Sequence, residues 1–118
     1  MLNTMMLMIM LTGGEGAPAD ASFLEVDTVA ECEERVARAR AVFPAAGLVY
    51  RSHHCVKSPI AFEPFLHNDT PTGPKYFMAL TFSKDGSQLK AAQKFASMKA
   101  CEKSHKGACV VSYQDITE

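Results

Sequence analysis

The chain has 118 residues, with 12 Lys and Arg against 13 Asp and Glu and a formal charge of −1. That length suits one domain, and the charge balance excludes a general electrostatic pull toward nucleic acid or an anionic membrane surface. Aliphatic and aromatic residues make up 47% of the chain, which excludes wholesale disorder.

The first 21 residues differ from the rest. Met1, Met5, Met6, Met8 and Met10 crowd the start, and residues 5–11 are an unbroken apolar run. Gly13, Gly14, Gly16 and Pro18 follow, then Ala19-Asp20-Ala21. An apolar run ahead of a small-residue triplet has the outline of a secretory leader cut after Ala21. The expected division is therefore a leader at 1–21 and a single domain at 22–118. The run is too short to span a bilayer as a helix.

Residues 22–27 read as a short strand. Thr28 and Glu31 fit a capping box, and Val29, Cys32, Val36, Ala39 and Phe43 form an apolar stripe at helical spacing. Pro44 and Gly47 close this helix. Residues 48–57 read as a second strand of imperfect alternation, with a bulge near Ser52. Residues 58–75 contain Pro59, Pro64, Pro71 and Pro74 and read as a loop. Residues 76–83 alternate as a strand, 84–87 turn, 89–104 read as a second helix, and 108–114 as the last strand.

The element order is then β-α-β twice, with two cysteines in each half. It predicts an α+β, ferredoxin-like split βαβ-βαβ fold. One four-stranded antiparallel sheet would carry both helices on one face, in the spatial order fourth, first, third, second. Helices antiparallel to their flanking strands bring Cys32 to Cys55, and Cys101, in the last turn of the second helix, to Cys109. Two such intra-half disulfides, each worth about 3 kcal/mol, fit an oxidising compartment, so the expected location is secreted or periplasmic.

No motif here carries a recognisable family signature. No glycine-rich phosphate loop is present. Ser52-His53-His54-Cys55 sets a nucleophile beside a base, but neighbours in a strand face apart. A small hydrolase or other enzyme is thus the least supported reading, and no cofactor is expected. Lys90, Lys94, Lys99 and Lys103 would flank an apolar helix face rather than form one patch, so no specific nucleic-acid partner is expected. His53, His54, His67, Asp69 and His105 lie on segments that the fold would gather at one end of the sheet, which defines a metal-binding alternative. The leading expectation is a non-catalytic binding module for another protein. Its contact surface is the 58–75 loop, where Ile60, Phe62, Phe65 and Leu66 sit beside Pro64.

Overall fold

The computed structural model describes residues 4–65 and 73–117. Among these residues, six strands and two helices follow in the order β1 (Met5–Thr12), β2 (Ala19–Val26), α1 (Val29–Ala46), β3 (Tyr50–Ser58), β4 (Tyr76–Phe82), β5 (Leu89–Phe95), α2 (Met98–Ser104) and β6 (Ala108–Ser112). The strands form one mixed sheet in the order β3-β1-β2-β6-β4-β5, curled strongly into a half-barrel. The expected four-stranded antiparallel ferredoxin-like sheet is overturned. Two strands had escaped the sequence pattern, and the β2–β6 pairing is parallel, with Ala19 opposite Val110 and Asp20 opposite Val111.

The first missed strand is β1. Residues expected in a leader form an interior strand that pairs with β2 on one side and β3 on the other. Leu7, Ile9 and Met10 are buried. Leu7 and Ile9 enter the cluster inside the curl, while Met8 and Met10 pack against α1 on the outer face. A strand buried on both faces has no polar alternation, so it reads as a plain apolar run. Cleavage after Ala21 would remove β1 and the start of β2 from this sheet.

The second missed strand is β5. The segment read as one helix from 89 to 104 divides into β5 and the seven-residue α2. Leu, Lys, Ala and Gln favour helices when isolated, but pairing with β4 through Met78–Lys94 and Leu80–Ala92 overrides that preference. Ser97 begins the true helix, its Oγ accepting from the Ala100 N–H at 3.1 Å. Cys101 accordingly lies in the first turn of α2 rather than the last turn of a long helix.

The best-defined helix, α1, forms as its sequence dictates. Thr28 Oγ accepts from the Glu31 N–H at 3.0 Å, and Glu31 Oε1 accepts from the Asp27 N–H at 2.7 Å. That backbone bond, with Arg35 and Arg38 nearby, lowers the Glu31 pKa. Gly47 ends the helix in the left-handed region at φ 74°, which glycine adopts without steric cost. Pro44 is tolerated inside the last turn. Cys32, Val36, Ala39 and Phe43 face the sheet, whereas Val29 is 48% exposed and leaves the expected stripe. Between β1 and β3 the register skips Arg51, since Leu11 lies opposite Ser52 and Thr12 opposite Tyr50.

With the missing strands restored, the two halves are copies of one ββαβ unit. β1 and β4 are the central strands, β2 and β5 their hairpin partners, and β3 and β6 the returning strands. Thr28-x3-Cys32-Glu33 opens α1 and Ser97-x3-Cys101-Glu102 opens α2. Cys55-Val56-Lys57-Ser58 closes β3 and Cys109-Val110-Val111-Ser112 closes β6. Cys55 pairs with Met8 as Cys109 pairs with Ala79. Val56 and Val110 are both buried in the core within the curl. Ser58 Oγ accepts from the N–H two residues on, Ile60, and Ser112 Oγ from Gln114. Even the parallel contact recurs. Val111 meets Asp20, and its counterpart Lys57 meets Gln88 in a parallel bridge where the outer strands β3 and β5 touch.

Candidate functional site

Both bridges are formed in the expected pairing, Cys32–Cys55 and Cys101–Cys109, with Cα separations of 5.9 and 6.1 Å. No cysteine is free. Each bridge ties the first turn of a helix to the returning strand of the same half, on the outer face of the sheet.

The loop after β3 turns back over the mouth of the curl. Residues 61–63 run antiparallel to 115–117. The Glu63 N–H donates to the Asp115 carbonyl at 2.8 Å and the Thr117 N–H to the Ala61 carbonyl at 2.9 Å. Phe62 stacks on Phe23, with ring centroids 3.7 Å apart and planes 1° from parallel. Ile60 packs on the same inner core. Two of the four expected contact residues, Ile60 and Phe62, therefore stabilise the fold. Leu66 lies outside the described residues. Phe65 lines a pocket of ≈ 290 Å³ with Leu7, Phe23, Leu24, Phe62 and Pro64, together with Glu25 and Glu63, whose Oε1 accepts from the Asp115 N–H at 2.9 Å. A wider depression of ≈ 570 Å³ beside the β3–β5 contact is lined by mixed polar and apolar groups, among them Asp27, Lys57 and Gln88.

The C-terminal segment braces this mouth. Lys94 Nζ lies 2.8 Å from Asp115 Oδ1. The hydrogen bond raises the Lys94 pKa and lowers that of Asp115. Lys90 and Lys94 belong to β5, while Lys99 and Lys103 follow in and after the first turn of α2. The four lysines thus occupy a strand and a helix, not two flanks of one helix.

The histidines are divided by the sheet. His53 faces outward. One ring nitrogen, Nδ1, lies 2.7 Å from the Tyr50 hydroxyl and the other, Nε2, 2.9 Å from Glu33 Oε1. Arg40 covers the Tyr50 ring at 3.9 Å. His54 faces the other way and stacks on Phe82 at 4.3 Å. Burial, then the neighbouring His53, lowers its pKa. His105 is the left-handed C-cap of α2, in the other half. His67 and Asp69 lie outside the described residues. Among the described residues, one trio of possible metal donors lies within 4.8 Å of one another: Glu33, His53 and Cys55. Glu33 is absent from the sequence-derived set because its position depends on α1 packing across the outer face of β3. The signal available was indirect. His53 and Cys55 are two apart and so share a strand face, and Glu33 follows the cysteine that pairs with Cys55.

No protein-family model matches the chain, and no curated protein or solved structure was found to resemble it. The structure defines a duplicated, disulfide-stapled α+β domain with no helix long and apolar enough to cross a membrane among the described residues.

Proposed function

We propose that the protein is a non-catalytic binding module of an oxidising compartment, secreted or periplasmic, that receives an extended peptide segment at the mouth of the curled sheet. The observation that carries this reading is the pocket between the β1–β2 hairpin and the 62–65 segment. Its lining combines apolar side chains with Glu25 and Glu63. Apolar groups beside a few polar ones suit one anchoring side chain, and the two carboxylates favour a flanking Lys or Arg on the ligand. The Phe23–Phe62 stack and the Glu63 N–H bond to the Asp115 carbonyl hold two of the walls before a ligand arrives, which reduces the ordering cost of binding.

Selection from a random peptide library against the whole chain tests this. Enriched sequences should carry an aromatic or aliphatic residue next to Lys or Arg. Phe65→Ala should weaken a selected peptide by about tenfold, the loss of roughly one well-buried contact. Glu25→Lys should reverse the preference for basic residues. Peptides enriched without a basic residue, or bound equally by Phe65→Ala, would remove the pocket from the proposal.

A further inference from the structure

We propose that reduction of the Cys32–Cys55 bridge creates a Zn²⁺ site, built from both freed thiolates, His53 Nε2 and a carboxylate oxygen of Glu33. This site lies on the outer face of the sheet and is independent of the peptide pocket. Glu33, His53 and Cys55 already bring their donor atoms within 4.8 Å of one another, and Cys32 Sγ is bonded to Cys55 Sγ. Four donors of sulfur, nitrogen and oxygen type suit a closed tetrahedral zinc site. Two thiolates on one tetrahedral zinc stand about 3.8 Å apart, given Zn–S bonds of about 2.3 Å. That is well inside the 5.9 Å between the two Cα atoms.

The surroundings are those of a ligand shell. Tyr50 holds His53 Nδ1, so the ring turns Nε2 toward Glu33 and the bridge, the outer-sphere contact that orients a metal-binding histidine. Glu33 and His53 are open to solvent at 56% and 22% of their side chains, which gives an ion its entry path, while Cys32 is fully buried and forms the floor.

The other half supplies an internal comparison. Cys101–Cys109 is the equivalent bridge and Glu102 is the equivalent of Glu33. Where His53 stands in the first half, the second has Gly107. Cys101–Cys109 forms without a histidine beside it, so a bridge that only staples does not need one. The histidine is peculiar to one copy.

The chemistry closes. A dithiol reductant supplies two electrons and two protons. The S–S bond breaks, each sulfur becomes a thiol, and the reductant leaves as its own disulfide. Zn²⁺ displaces both thiol protons to solvent and binds the two thiolates. In an oxidising compartment the bridge persists, and the site opens when the protein meets the reductant.

Co²⁺, as a spectroscopic stand-in for Zn²⁺, tests the site in the full chain with and without a phosphine reductant. The oxidised protein should show no sulfur-to-cobalt charge-transfer band. The reduced protein should bind one equivalent, with that band and the intense visible bands of tetrahedral cobalt, and Zn²⁺ should displace it. His53→Ala should weaken binding by more than about tenfold and shift the visible bands, and Tyr50→Phe should weaken it by about tenfold. The double variant Cys101→Ser, Cys109→Ser should keep the site. If that variant does not fold, His53→Ala, with all four cysteines present, decides alone. If reduction unfolds the chain, Zn²⁺ should restore its circular dichroism. Failure to refold, no charge-transfer band in the reduced chain, or unchanged binding by His53→Ala would overturn the proposal.

Discussion

Gln114 bonds to both backbone groups of Phe23. Its Oε1 accepts from the Phe23 N–H and its Nε2 donates to the Phe23 carbonyl, each at 2.8 Å, so one side-chain amide continues the β2–β6 ladder where β6 has ended. Nε2 also donates to the Glu63 carbonyl at 2.7 Å, which ties the loop to both strands. Gln114 is only 6% exposed. Gln114→Ala leaves buried backbone groups without partners and should cost about 2–3 kcal/mol. Gln114→Glu should cost at least as much, because a carboxylate faces two carbonyl oxygens. Urea denaturation of the two variants measures both losses.

The placement of β1 makes a direct prediction. A chain beginning at Ser22 loses the strand that pairs with β2 and β3 and should not fold. Its amide proton spectrum should collapse to unfolded dispersion. Within the whole chain, Ile9→Ala, at a fully buried position, should cost about 3 kcal/mol. A well-dispersed spectrum from the shortened chain would contradict the sheet order.

The two bridges should differ in weight. Their sequence separations are 23 and 8. Closure entropy then makes the loss of Cys32–Cys55 costlier than that of Cys101–Cys109 by about 0.9 kcal/mol. Paired Cys→Ser variants, compared by denaturant midpoint under non-reducing conditions, give the difference. Equal losses would mean that the unfolded chain already holds one of the loops closed.

The turn between β4 and β5 should be acid-sensitive. Asp85 Oδ1 accepts from the Ser83 hydroxyl, the Ser87 N–H and the Ser87 hydroxyl at 2.7, 3.0 and 2.8 Å. The Ser87 backbone bond, followed by the two hydroxyls, lowers its pKa from 3.8 to about 2. A native pKa below the unfolded value means a contribution fully present above about pH 4 and lost as pH falls toward about 2. Wild type and Asp85→Ala should therefore differ at neutral pH and converge near pH 2. A constant gap across that range would assign the effect to packing.

The sequence made part of this fold legible. α1 is announced by Thr28, Glu31 and its 3.6-residue stripe, and β4 by its alternation. The Cys32–Cys55 pairing follows from a helix that runs back along its own strand; Cys101–Cys109 forms as expected although Cys101 opens a short helix rather than ending a long one. What it hid were the strands beside those crossovers. β1 lacks alternation because Leu7 and Ile9 face the inner core while Met8 and Met10 face α1. β5 is written in helix-favouring residues and is a strand through its partner. Asp85-Gly86, a hairpin signal, and Ser97, spaced from Cys101 as Thr28 is from Cys32, were the available cues. At the sites, Ile60, Phe62 and Phe65 share an apolar character, and composition does not separate Ile60, which packs only on the core, from Phe62 and Phe65, which line the pocket. Glu33 required the packing of α1 on β3.

Gly107 limits what the second half can hold where the first has His53. A Cβ there would stand 2.5 Å from the Leu80 carbonyl oxygen, so the turn that leads into β6 approaches β4 more closely than a side chain allows. A side chain at 107 would need this turn to move away from β4. The second bridge therefore cannot gain, by substitution alone, the ring that stands beside the first.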